Sequence, residues 1–213
     1  MPDTDPGADR MNLGGSPMQP PVITIEAKPS QDKQEAFNMT VLVGFSSKYG
    51  ATEGIAERIA RRLREAGRDA LARPLASVDK PADFDAFVLG SAVYMGSWRK
   101  EATEFVRGNL AALAGKPVWL FSSGPLGTDP KDAEGRDKLK QAEPKQFEEF
   151  GEALSPRGRR VFFGALNPSV LGRRDRLVRR IPSGRELLPE GDFRDWAEID
   201  EWAAGIAEEL AAG

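Results

Sequence analysis

Four short apolar runs punctuate the chain: Val41–Phe45, Ala86–Gly90, Val118–Phe121 and Val161–Ala165. Each is too short for a helix and too continuous for a strand with one face in water. Each therefore reads as a strand buried on both faces. A weaker strand, Ala70–Leu75, contains Arg73 and Pro74 and suits a sheet edge. Between these runs the hydrophobic period becomes helical. Ile55, Ile59 and Leu63 share one face of Thr52–Ala66, which Gly67 terminates. Ala102, Phe105, Val106, Leu110 and Leu113 do the same over Lys100–Leu113. At the end of the chain, Trp196, Ile199, Trp202, Ile206 and Leu210 line Asp195–Leu210, opened by Asp195 and Glu198 at capping-box spacing. Strands alternating with helices predict an α/β fold: a doubly wound, five-stranded parallel sheet with helices on both faces.

The first 38 residues break this pattern. They are rich in Pro, Gly, Asp and Gln, and they hold six acidic and three basic residues. That imbalance accounts for the whole chain's net charge of -3, so residues 39–213 balance to zero. The segment lacks the basic start and apolar core of a signal peptide. It reads as a disordered tail ahead of one domain, residues 39–213. A short strand at Val22–Ile25 has no evident partner, and Met39 just before the first strand suggests an over-extended start.

Composition narrows the chemistry. There is no cysteine, which excludes disulfides, Fe–S clusters and thiolate catalysis. There is no histidine, which removes Ser-His-Asp triads, most transition-metal sites and the usual proton shuttle at neutral pH. No metal site is expected. No apolar run approaches the ~20 residues that span a bilayer. An enzyme of this composition would draw its chemistry from a bound cofactor.

The loop after the first strand reads Ser46-Ser47-Lys48-Tyr49-Gly50-Ala51-Thr52, and a helix follows at once. A strand that turns tightly into a helix start offers free backbone N–H groups to an anion. The hydroxyls of Ser46, Ser47 and Thr52 add donors, and Gly50 permits the bend. The loop lacks G-x-x-x-x-G-K-[ST] and G-x-G-x-x-G, so neither a nucleoside triphosphate nor a dinucleotide is expected. A phosphate monoester fits. The plainer reading is a βα turn in which Thr52 only caps the helix.

Ligands of open α/β sheets bind at the carboxyl ends of the strands, beside the switch in strand order. Two further loops should therefore converge on the first. One is Ser91–Arg99, with Ala92, Val93, Tyr94, Met95, Gly96 and Ser97; Tyr94 and Trp98 offer flat faces. The other follows the fourth strand, with Ser122, Ser123, Gly124, Pro125, Leu126 and Gly127, small enough for backbone to approach a planar heterocycle. One loop gripping a phosphate and two pinching a flat ring describe a site for FMN. The alternative is that Tyr94 and Trp98 are surface aromatics over a helix start.

The spacing of Phe45, Ser47, Gly50, Thr52, Ala56 and Ile59 resembles the flavodoxin signature, although Gly44 stands where that family carries a bulky apolar residue. Gly90–Val106, Phe162–Ser169 and Asp192–Ile199 resemble the branch of menaquinone-dependent protoporphyrinogen IX dehydrogenases. The resemblance covers Met39 to about Leu210; the polar segment 129–158 falls outside it. It implies strand order 2-1-3-4-5 and FMN held by Ser46–Thr52, Ala92–Ser97 and Ser122–Gly127. It also implies a flavoprotein oxidoreductase of heme biosynthesis, passing reducing equivalents from a porphyrinogen through the flavin to a quinone. No side chain need be catalytic, since the flavin carries the chemistry.

Residues 156–185 carry nine arginines, opposed only by Asp175. Leu171, Leu177, Val178 and Ile181 are interspersed, so Leu171–Ile181 can form a short basic amphipathic helix. A solvated helix face is the plain reading. The sharper one makes Arg173, Arg174 and Arg176 contacts for a carboxylated substrate or an anionic membrane. A cytoplasmic location is expected, and the sharper reading adds peripheral contact to the inner face of the plasma membrane. The neutral charge balance and the lack of a nucleic-acid motif point away from nucleic acid. Two other classes stay open: a flavodoxin-type electron carrier without its own substrate, and a flavin-less interaction module.

Overall fold

The computed structural model describes residues 39–212. The tail expected over residues 1–38 and the strand considered at Val22–Ile25 lie outside the described residues. Thr40–Ser46 forms β1, Ala51–Glu65 α1 and Asp69–Pro74 β2. Ala86–Tyr94 is β3, followed by the two-residue β4 at Ser97–Trp98. Helices α2 (Lys100–Gly108) and α3 (Leu110–Leu113) lead to β5, Val118–Ser123. Then come α4 (Lys138–Gln141), α5 (Gln146–Leu154) and β6 (Gly158–Phe162). The C-terminal third holds β7 (Ala165–Leu166), α6 (Arg173–Val178), α7 (Pro182–Leu187), β8 (Gly191–Asp192) and α8 (Trp196–Ala212).

The sheet runs β2-β1-β3-β5-β6 with every one of these pairs parallel, and β4 lies antiparallel on the end of β3. Among the parallel strands this is the expected order 2-1-3-4-5, with β2 at an edge. Side chains alternate across the sheet as strand geometry requires. Val41, Val43, Phe45, Val88, Trp119 and Phe121 pack under α1 and α8. Leu42, Phe87, Leu89, Val118 and Leu120 face α2, α3 and α5. Both faces are covered, which is why the central strands read as unbroken apolar runs.

Gly44 has a steric reason. A Cβ there would lie 2.3 Å from Cδ2 of Leu75 and 3.2 Å from Cδ2 of Leu89. Leu75 reaches in from the turn after β2 and fills the space that a larger residue on β1 would take.

Several elements differ from the sequence reading. Strand β3 runs on to Tyr94, so the expected loop Ser91–Arg99 is largely a hairpin. The helix expected over Lys100–Leu113 breaks at Asn109, whose side-chain amide donates to the Phe105 carbonyl. The last parallel strand is Gly158–Phe162 rather than Val161–Ala165, and its first half carries the exposed Arg159 and Arg160. The segment 129–158 contains α5, whose Phe147, Phe150 and Leu154 are buried against the sheet. Each buried ring contributes about 1.5–3 kcal/mol of hydrophobic stabilisation.

Candidate functional site

Near the carboxyl ends of the three central strands, serines stand side by side. Ser46 of β1 pairs with Ser91 of β3, which pairs with Ser122 of β5. Small residues at these ends leave room above the sheet. There the loops after β1, β3 and β5 enclose a cavity of about 510 Å³. That size lies within the usual ~300–1,000 Å³ of small-molecule sites.

From the first loop the cavity is lined by Ser47, Lys48, Tyr49, Ala51 and Thr52. Gly50 precedes α1 in the left-handed conformation (φ 87°), which a side chain would resist. Its N–H donates to Ser47 Oγ over 3.0 Å. The first-turn N–H groups of α1 have no intrahelical acceptor and carry the positive end of the helix dipole. Thr52 is fully buried, and its hydroxyl shares a 2.7 Å hydrogen bond with that of Ser123. One hydroxyl pair thus joins the first loop to the end of β5. Thr52 makes no side-chain cap for α1.

The other walls are apolar. Ala92, Val93, Tyr94 and Met95 line one side, and Ser123, Gly124, Pro125 and Leu126 another. The remaining expected residues support the rim without lining the cavity. Ser46 Oγ accepts from Arg99 Nε, Gly96 turns the hairpin at φ 70°, Ser97 pairs with Tyr94, and Gly127 sits at φ 108°. Ser122 is buried and turned into the core, where its Oγ accepts from Trp98 Nε1 at 2.7 Å.

Trp98 corrects the sequence reading. It does not offer a face to a ligand. The hairpin folds it into the core, 4% exposed, edge-on to Phe147 and Phe150. Of the flat residues expected in that loop, only Tyr94 lines the cavity.

The fourth wall comes from a region the sequence did not assign to the cofactor site. Gly164, Ala165 and Leu166 line the cavity, together with Leu171, Asp175, Val178 and Leu188. Asp175 accepts from Lys48 Nζ at 2.6 Å and from the Tyr49 hydroxyl. These bonds hold the Asp175 carboxyl below its ordinary range and the Lys48 ammonium above its own. Lys48 Nζ also stands 4.8 Å from the Tyr49 ring centre and 5.4 Å from that of Tyr94. The one sequence signal for this wall is Asp175 itself, a single acid among arginines. Arg173 and Arg176 are exposed on α6 and do not line the cavity; Arg174 lies on the same helix, with its side chain outside the described residues.

A family model, the flavodoxin domain, matches residues 42–182. The chain belongs to the flavodoxin-domain family. FMN is the cofactor of flavodoxin-domain proteins. A flavodoxin from the domain Archaea is 16% identical, covering 81% of this chain and 99% of that one at a TM-score of 0.51. A cysteine-to-serine mutant of the flavodoxin from Pseudomonas aeruginosa is 18% identical, covering 82% and 100% at 0.52. The flavodiiron core of Flv1 from Synechocystis is 14% identical, covering 84% of this chain and 37% of that one at 0.53. At these identities the likeness is one of fold. No curated protein matches the chain.

The donor set of the flavodoxin-domain cavity suits FMN. Hydroxyls and helix N–H groups of the first loop suit a phosphate, and the largely apolar lining from Ala92 to Met95 and from Gly124 to Leu126 suits a flat ring. Among the described residues, no cluster of acidic side chains could hold a metal ion and no helix is long and apolar enough to cross a membrane.

Proposed function

We propose that this chain binds FMN in the cavity above β1, β3 and β5. We further propose that it acts as an oxidoreductase, taking reducing equivalents from a reduced tetrapyrrole and delivering them to a quinone. Bound FMN would supply the redox chemistry, a two-electron exchange with either partner. The chain's own residues would do the rest. Ser47, Thr52 and the first-turn amides of α1 would bind the phosphate. Ala92–Met95 and Ser123–Leu126 would orient the ring and exclude water from one side of it.

The observation that carries the choice of substrate is the exposed surface beside the cavity. Tyr94, Met95, Val170, Leu177, Val178 and Ile181 are exposed, and all lie in the β3–β4 turn or the segment around α6. Arg173, Arg176, Arg180 and Arg185 are exposed among them. Exposed apolar side chains interspersed with guanidinium groups, on the segment whose Asp175 and Val178 line the cavity, suit a flat, apolar substrate bearing carboxylates. It also suits an anionic membrane, where an apolar quinone is found.

Anaerobic addition of protoporphyrinogen to the FMN-loaded protein should bleach the flavin, and menaquinone should restore its colour. A flavin that porphyrinogen leaves oxidised, but that a flavodoxin reductase reduces, would make the chain an electron carrier instead. Flotation with phosphatidylglycerol vesicles tests the membrane contact. The triple change Arg173→Glu, Arg174→Glu, Arg176→Glu should abolish flotation, and equal flotation of both proteins would remove the membrane from the account.

A further inference from the structure

The residues from Asn167 to Glu190 leave the body of the domain at β7 and return at β8. These two strands pair antiparallel, Ala165 with Asp192 and Leu166 with Gly191, and form the base of a strap. Its described polar contacts are almost all internal. Arg176 Nη2 donates to the Leu171 carbonyl, Arg185 Nε to that of Arg179, and Arg179 pairs with Glu190 at 3.6 Å. Three hydrogen bonds, among the described residues, reach the body, and all three go to two neighbouring residues of the first loop. Lys48 and Tyr49 both donate to Asp175, and the Gly172 N–H donates to the Tyr49 hydroxyl over 3.4 Å. Among the described residues, the apolar attachment is Leu171 with the cavity-lining Val178 and Leu188. Leu171 is buried, while Leu177 and Ile181 are exposed.

We propose that Asp175 is a positioning residue that latches this strap over the cavity, so that a cofactor enters and leaves only when its carboxylate lets go of Lys48 and Tyr49. The inference rests on the reading that the cavity takes FMN. The geometry is that of a hinged wall. The base is a two-strand clasp, the free side carries Leu171, Asp175, Val178 and Leu188 against the cavity, and one carboxylate ties the free side to the loop opposite. Asp175 is the one acid between Ala165 and Arg185, so no other acid of α6 can take its place. A charge-assisted bond between two partly exposed groups is strong enough to hold a short segment and weak enough to open repeatedly. Lys48 also links the latch to Tyr94, so a closed strap, the first loop and the β3 end are joined through one ammonium group.

The test separates a gate from an ordinary ligand contact. FMN uptake by the apoprotein and FMN release are followed by flavin fluorescence in wild type, Asp175→Asn and Tyr49→Phe, with Arg185→Ser as a strap control. A gate predicts that Asp175→Asn raises association and release together, each by about tenfold, leaving affinity little changed. Tyr49→Phe should do the same to a smaller degree, and Arg185→Ser should leave both rates alone. Release that rises while association stays fixed would make Asp175 only a ligand contact and overturn the gate; unchanged rates would overturn it too. A second readout needs no flavin. Hydrogen exchange of the amides from Gly172 to Arg179 in the apoprotein should quicken in Asp175→Asn. Failure of the wild type to bind FMN would sink the cofactor reading alone, and the exchange result would still decide the latch.

Discussion

Substituting Gly44 by alanine tests whether the departure from the flavodoxin pattern is compensated by Leu75. The new Cβ would stand 2.3 Å from Leu75 Cδ2 and 3.2 Å from Leu89 Cδ2. Leu75 is 2% exposed and Leu89 fully buried, so neither can swing into solvent. Overpacking of this kind costs about 1–3 kcal/mol. Replacing glycine stiffens the unfolded chain and offsets about 0.4–1 kcal/mol of that. The expected loss is therefore about 1–2 kcal/mol, read as a lower urea midpoint with unchanged slope. Leu75→Ala alone opens a cavity and should cost about 2–5 kcal/mol. The double variant should cost clearly less than the sum, because the alanine methyl occupies part of the vacated space, giving a coupling of about 1 kcal/mol or more. Additive losses, or a Gly44→Ala variant as stable as wild type, would refute the steric account.

Three further outcomes follow from the structure. Thr52→Val leaves the buried Ser123 hydroxyl without its partner and should cost about 1–3 kcal/mol in urea unfolding, with weaker FMN binding; adding Ser123→Ala should recover part of the stability, and full additivity would argue against the pair. Trp98→Phe removes the donor to Ser122 and some packing against Phe150, so it should destabilise the fold by about 1–3 kcal/mol while leaving the visible spectrum of added FMN unchanged; a spectral shift would return Trp98 to the cavity. Arg58 holds the Asp200 carboxyl below its ordinary range. A lowered folded-state pKa stabilises above the unfolded value of about 3.9 and loses that contribution as acid protonates the folded group. Wild type should therefore exceed Asp200→Asn in stability near about pH 6, with the gap closing below about pH 4; a constant gap would assign the loss to packing.

What the sequence disclosed depended on how locally each feature is determined. The central strands were legible because both their faces are buried, leaving unbroken apolar runs such as Val41–Val43 and Val118–Phe121. The first loop was legible because a strand end, small hydroxyl residues and a helix start are contiguous. Strand β6 was displaced because Arg159 and Arg160, in its first half, are exposed at the sheet edge, while apolar Ala165 belongs to the next hairpin. Helix α5 was hidden among charges, since Phe147, Phe150 and Leu154 gain meaning only against Trp98 and the sheet. Trp98 itself was misread because a two-residue strand reverses its direction. The fourth wall was out of reach: Asp175 meets Lys48 across 127 positions, and no local pattern marks that pair.

The most direct test of the account is the visible absorption of the protein purified without added cofactor, with titration of FMN into any colourless fraction. The account predicts a flavin spectrum, with FMN released at near one per chain or taken up to that ratio. A colourless protein that ignores added FMN would contradict it and leave the cavity an interaction surface on a flavodoxin-like frame.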